Sequence, residues 1–303
     1  MRLHGDARQL GVAVSGGPDS LALLLLASAA FPGRVRAATV DHALREASGG
    51  EAHFVAEICK SREIPHSVLH AEWETKPAAN IQASAREKRY DLLADWAGVQ
   101  GLTAVMTAHH ADDQAETILM RLARGAGLRG LAGIRPARRL ARGVTLIRPL
   151  LHWTREQLLE VVDRAGITPI DDPSNADDRF DRTKMRSLVR ASSLDAQRLA
   201  QSASNLRDAN EALDWAVAQQ MEARVTRGPD QIGFDPHGLP PELVRRMVVK
   251  LMVELGAAEP SGPDLSRAMT GLAEGETRTL AGLKLSPGPH WRISRAPPRT
   301  RIR

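Results

Sequence analysis

The sequence predicts an α/β protein: an N-terminal, Rossmann-like parallel-sheet domain over residues 1–194, then a smaller, mainly α-helical domain over 195–303. Two observations predict it. Up to about residue 166, short β-branched or apolar runs alternate with helical patterns, which implies parallel strands joined by crossover helices on both sheet faces. After about Asp195 the strand signal stops, and Leu199, Leu206, Leu213 and Val217 recur at helical spacing.

Taken in order, Leu10–Val14 reads as a strand and Asp19 to about Ala30 as the helix after it. Arg34–Val40 is the second strand, followed by a helix near Gly50–Arg62. His66–Ala71 is the third, and Asn80 has the side chain to cap a helix reaching Val99. Leu102–Ala108 leads into a helix over Asp112–Arg124, and Val144–Leu150 forms a fifth strand. Thr154 and Gln157 make a capping box for a helix that stops at Gly166. In the second domain, Asp195–Val225 and Leu239–Leu255 read as helices. Thr279–Leu285 and Trp291–Ser294 suggest a small hairpin.

Composition removes several function classes. With 303 residues, 43% hydrophobic and 25% charged, the chain suits two globular domains. No apolar run reaches the roughly 18 residues of a membrane span. Met1–Gln9 is polar rather than signal-like, so a cytoplasmic protein without membrane attachment is expected. Cys59 is the single cysteine, which excludes an intrachain disulfide, a Cys-rich zinc site and chemistry needing a cysteine pair. It reads as a buried apolar residue.

Charge is uneven. Lys and Arg total 41 against 36 Asp and Glu, but Arg121–Arg148 holds eight arginines and no acid. The tail Trp291–Arg303 holds five more, again without an acid. Such patches suit phosphate-rich partners, though a solvated arginine face looks the same in sequence.

Three constellations carry chemistry. Ser15-Gly16-Gly17-Pro18-Asp19-Ser20 lies between the first strand and helix, where glycines admit an anion to the backbone and a helix N-terminus faces it. It lacks the Gly-Lys-Ser/Thr ending of a Walker A loop. Asp41-His42 ends the second strand on the same sheet edge, where Asp41 could orient a metal or a substrate amine, though by itself the pair reads more simply as a helix or turn cap. His109-His110-Ala111-Asp112-Asp113 through Glu116 ends the fourth strand and opens a helix. Two histidines and three acids there exceed what capping needs, and carboxylates beside phosphate favour magnesium over zinc. Arg124 and Arg129 flank a Gly-rich connection, and Arg182, Arg186 and Arg190 share one predicted helix face.

These blocks resemble the tRNA(Ile)-lysidine synthetase family of N-type ATP pyrophosphatases, with their adenine-nucleotide α-hydrolase-like fold. The Ser-Gly-Gly-x-Asp-Ser loop is shared across that superfamily. Val40-Asp41-His42-Ala43-Leu44-Arg45, Ala85-Arg86 with Arg89-Tyr90, and Ala108-His109-His110 to Glu116-Thr117 are narrower, as are Arg124-Gly125-x-Gly127, Arg148-Pro149-Leu150-Leu151 and Asp172-Pro173-Ser174-Asn175. Thr183 departs from the Asn often found there, and the chain resembles the family's short form.

The resemblance implies ligation of free L-lysine to C2 of the wobble cytidine of tRNA(Ile) with a CAU anticodon. ATP first adenylates the cytosine, and magnesium assists. It implies that Ser15–Ser20 hold the ATP phosphates, with Asp19 assisting the metal. Asp41, Asp112, Asp113 and Glu116 would share metal and lysine positioning, and His109 would accept a proton. Arg86, Arg89, Arg124, Arg129, Arg182, Arg186 and Arg190 would meet tRNA, and a homodimer is compatible with the length. A tRNA thiolase, a glutamine-fed amidotransferase and a non-catalytic RNA-binding module are the rival readings. The first wants more cysteines, the second a glutaminase, and RNA-dependent ATP turnover separates the third.

Overall fold

The computed structural model describes residues 9–42, 48–73, 81–170, 185, 189 and 194–296. The predicted cap at Asn80, the Asp172–Asn175 turn, Arg182, Arg186, Arg190 and the last arginines of the tail lie outside them. Contacts divide the chain into two units, 1–207 and 208–303.

In the first unit, β1 (Leu10–Ala13), β2 (Val35–Asp41), β3 (His66–His70), β4 (Ala104–Met106) and β6 (Val144–Ile147) run parallel. A further strand, β5 (Ala137–Ala141), pairs antiparallel with β6, so the sheet order is β3-β2-β1-β4-β6-β5. Sequence reading did not separate β5, because its Ala-Arg-Arg-Leu-Ala run reads as part of a basic patch.

The strands are joined by α1 (Pro18–Ala30), α2 (Ser48–Ser61), α3 (Ile81–Val99) and α4 (Ala111–Ala123). After them come a short α5 (Leu128–Leu131) and α6 (Arg155–Arg164). Helices cover both faces. Leu21 and Leu24 of α1, Val55 and Cys59 of α2, and Leu158 and Val162 of α6 share one core with Val12 and Val14. Leu93, Trp96 and Ala97 of α3 pack on the opposite face against Ala38, Val105 and Leu146. Burial of this kind stabilises at about 25 cal/mol per Å2 of apolar surface, and it leaves the strand ends free for function. The predicted capping box is present, with Gln157 N donating to Thr154 Oγ1 at 3.3 Å and Thr154 N to Gln157 Oε1 at 3.0 Å.

The helix α7 (Ala196–Arg224) contains the boundary between the units. Beyond it, α8 (Pro241–Glu254) and α9 (Gly262–Ala273) are helical, and α9 was not separated in sequence. The hairpin expected near the C-terminus is part of a larger antiparallel sheet: β7 (Val225–Arg227), β8 (Gln231–Phe234), β9 (Arg278–Leu280), β10 (Leu283–Ser286) and β11 (Trp291–Arg295), ordered β7-β8-β11-β10-β9. Ile232, Phe234, Leu283, Leu285 and Ile293 alternate inward against Met247, Leu251 and Leu272, the pattern of a sheet with one solvated face. No described helix is long and apolar enough to cross a membrane.

Candidate active site

Connections leave β1 toward β2 and β3 on one side, while β4 and β6 lie on the other. The carboxyl ends of β1, β2 and β4 therefore bracket a topological switch point, where open α/β sheets bind ligands.

The loop after β1 is held by its own hydroxyls. Ser15 N donates to Ser20 Oγ at 3.0 Å, Ser20 Oγ donates to Gly17 O at 2.9 Å, and the two serine hydroxyls lie 3.2 Å apart. Gly16 has φ +88°, and a Cβ there would come 3.2 Å from Ile170 Cδ1. Ile170 N donates to Gly16 O at 3.1 Å, so the chain after α6 closes on the loop. Gly17 caps α1 and Pro18 opens it, a fixed φ suited to a first helical position that needs no N–H. Asp19 stands in that first turn, and its Oδ1 is buried without a hydrogen-bond partner.

Beyond β4, His110 is the N-cap of α4 and is only 5% exposed. Its Nε2 lies 3.5 Å from Asp19 Oδ2 and 3.7 Å from Asp113 Oδ2, and its Nδ1 lies 3.2 Å from Asp112 Oδ2. Burial opposes its charge, but hydrogen bonds to Asp112 and Asp19 and the charge of Asp113 outweigh it, and its pKa is pushed up to about 10. Burial would likewise raise the Asp112 carboxyl. The His110 hydrogen bond, the Arg155 N–H at 3.0 Å and the His110 charge hold it below the usual carboxylate range. Asp113 Oδ2 also accepts the His110 backbone N–H at 3.0 Å. His110, which sequence reading left without a role, is thus the cation at the centre of three predicted acids. Its signal was present: a histidine preceding two aspartates at a helix start.

Two other predicted pairs meet at the edge. Arg86 Nη2 lies 3.4 Å from His109 Nε2, and Thr107 Oγ1 lies 3.1 Å from His109 Nδ1. A guanidinium only donates, so Nε2 accepts and Nδ1–H donates to Thr107. Arg89 donates to His42 Nε2 at 3.4 Å. One helix, α3, therefore sends arginines to the ends of both strands that flank β1. Asp41 Oδ2 lies 3.5 Å from His70 Nδ1, and the Asp41 carbonyl accepts the Ala71 N–H.

Arg86 and Arg138 stand over the Tyr90 ring, 5.2 and 4.4 Å from its centroid. Burial would raise the Tyr90 phenol, but the charge of Arg86 and hydrogen bonds from Arg148 and Arg138 prevail and lower it. The neighbourhood is strongly electropositive.

Other predicted residues are placed differently. Glu116 is 3% exposed, on the packed side of α4. Arg124 and Arg129 are exposed. Their connection is not loose: Arg121 Nη1 donates to Gly130 O at 2.7 Å and Gly133 O at 3.0 Å. Gln114 bridges both backbone groups of Ile134, at 3.1 and 2.6 Å. Asp112 and Asp113 are turned to His110 and backbone N–H groups, and among the described residues no three His, Cys, Asp or Glu side chains are arranged to hold a metal ion. Magnesium at phosphate sites is held by one or two carboxylates plus the phosphates, and the unpartnered Asp19 oxygen fits that smaller demand.

Comparisons with known proteins agree with this geometry. The PP-loop domain family matches residues 3–192. A tRNA(Ile)-lysidine synthase of Zymomonas mobilis is 45% identical over 297 residues, covering 96% of this chain and 89% of that protein. The enzyme of the same name from Novosphingobium aromaticivorans is 45% identical over 290 residues, covering 94% and 88%. Among solved structures, the U34-tRNA thiolase NcsA of Methanococcus maripaludis superposes with a TM-score of 0.56 at 15% identity, over 66% of this chain and 71% of that one, a likeness of fold. A PP-loop core matched over most of the first unit, and relatives matched over nearly the whole length, place this chain in the tRNA(Ile)-lysidine synthase family.

Proposed function

We propose that this chain ligates free L-lysine to C2 of the wobble cytidine in tRNA(Ile) with a CAU anticodon. Cytosine O2 attacks the α-phosphate of ATP and pyrophosphate leaves. The lysine amine then attacks C2, and AMP leaves with the C2–O2 bond. The observation that carries the reading is the Ser15–Ser20 loop, set at the sheet's switch point with Asp19 against His110.

The first-turn N–H groups of α1 and the Ser15 and Ser20 hydroxyls would cradle the phosphates. Asp19, through its unpartnered oxygen, would hold magnesium, which neutralises charge on the departing pyrophosphate when bound. His110 is charged at neutral pH and so cannot take a proton there; its work is to fix the three acids and offset their charge.

A base is still needed. Lysine amine titrates near 10.4, so at neutral pH only about one in a thousand is uncharged, a cost of about 4 kcal/mol. His109 Nε2 carries the lone pair that can accept the proton once Arg86 moves aside. Asp41, at the end of the neighbouring strand, suits the lysine ammonium before that transfer.

The test is direct. The protein is incubated with unmodified tRNA(Ile) transcript, ATP, magnesium and lysine, and the nucleosides are weighed after digestion. A cytidine heavier by lysine minus water, absent without ATP or lysine, is expected. RNA-dependent AMP release without it would leave adenylation standing and remove lysine as the nucleophile.

A further inference from the structure

The second unit pairs its arginines with care, up to a point. Arg224 meets Asp235, Arg227 meets Glu254 and Arg245 meets Glu242. Arg246 meets Asp214 and Glu242, Arg267 meets Asp264, and Arg278 meets Glu276. From Ala281 to the C-terminus the pattern reverses: the sequence holds one lysine and five arginines, Lys284, Arg292 and Arg295 among them, and no acid.

Register decides where those cations point. In β10, Leu283 and Leu285 are buried and Lys284 is exposed; in β11, Ile293 is buried and Arg292 is exposed. Lys284 faces Ser294 on one side and Thr279 on the other, and Arg292 faces Ser286 and Gly233. The two cations are therefore diagonal neighbours on one face, their Cα atoms about 7–8 Å apart by strand geometry. Among the described residues neither makes an ion pair, and no outward position of the five strands carries a carboxylate. Like charges this close, with none of the pairing used elsewhere in the same unit, are costly unless an anion meets them.

We propose that the solvated face of the β10–β11 hairpin, with Lys284 and Arg292 at its centre, contacts the sugar–phosphate backbone of the tRNA. The partner is polyanionic, because neighbouring serines and threonines offer donors beside two cations. It is read by its backbone, because the face has no aromatic side chain on which a base could stack. The inference rests on the proposed reaction for the identity of the RNA, and its test separates the two.

Lys284→Glu/Arg292→Glu is compared with wild type and with Lys250→Glu, an exposed cation on α8. Binding to fluorescent tRNA(Ile) transcript is titrated against salt, and lysidine formation is followed in parallel. The double variant is expected to melt like wild type, to lose at least tenfold in tRNA affinity and to keep its kcat. The slope of log K against log salt should fall by about 1.4–1.8, since each phosphate contact contributes about 0.7–0.9. Lys250→Glu should leave affinity and slope in place. Unchanged affinity and slope in the double variant, with wild type still making lysidine, would overturn the proposal. Loss of binding to anionic vesicles with tRNA affinity intact would also overturn it, in favour of a lipid surface. A wild type that makes no lysidine, while the double variant still loses tRNA, would overturn the catalytic reading alone.

Discussion

Asp19 Oδ2 lies 3.5 Å from His110 Nε2, so the first turn of α1 and the N-cap of α4 are tied by one ion pair across β1 and β4. The imidazolium is the hub of the site. His110→Ala should cost about 3 kcal/mol at pH 7, the range for removing one partner of a buried ion pair. The folded pKa of about 10 lies above the ordinary 6.5. The stabilisation is therefore complete below pH 6.5 and is lost as pH rises through about 10. Urea unfolding of both proteins at pH 6, 8 and 10 should show the gap closing; a constant gap would contradict the charged state.

Asp19→Asn keeps the size of the side chain and removes its charge. Pyrophosphate release should slow about 100-fold, and half-saturation by magnesium should move upward. Release assayed across a magnesium series checks both, and a wild-type magnesium curve would take Asp19 out of the metal's reach.

Gln114→Ala would strand the amide and carbonyl of Ile134, which its side chain now satisfies. A loss of about 1–3 kcal/mol is expected. Hydrogen exchange of residues 128–134 should accelerate with it.

Arg246 is 9% exposed and joins α7 to α8 through Asp214 and Glu242, both at 2.7 Å. Arg246→Ala should destabilise the second unit by about 3 kcal/mol. Thermal melts followed by Trp291 fluorescence report it, and a first-unit probe should not move.

Cys59 is buried, and burial, only partly offset by the charge of Arg62, pushes its thiol up to about 11. Native protein should resist alkylation at pH 8 and react at once in urea.

Much of this was legible in the sequence. The parallel strands announced themselves because the central ones, β1 and β4, are apolar on both faces and alternate with helical patterns, and the Ser15–Ser20 loop because its glycines interrupt a strand-to-helix passage. His110 was harder: proximity to Asp112 and Asp113 was visible, but the third partner, Asp19, lies about ninety residues upstream and meets it only because β1 and β4 are neighbours. The second sheet was reduced to a hairpin because its strands are three to five residues long, with arginines at inward edge positions such as Arg227 and Arg278. There, cross-strand pairing rather than local alternation builds the element.

Asp112 accepts its last hydrogen bond from the N–H of Arg155, the first residue of α6. Three helix starts, those of α1, α4 and α6, thus converge on one cluster of carboxylates. Beside the His110 imidazolium, a share of the positive potential that meets those acids belongs to peptide groups. Such potential cannot be titrated away or deleted by any single replacement, and it is invisible to a tally of charged residues. The two ligands of the proposed reaction differ in sign, a polyphosphate and an ammonium. The site offers each its complement: carboxylates for the ammonium, and the N–H groups of helix starts, beside the His110 imidazolium, for the polyphosphate.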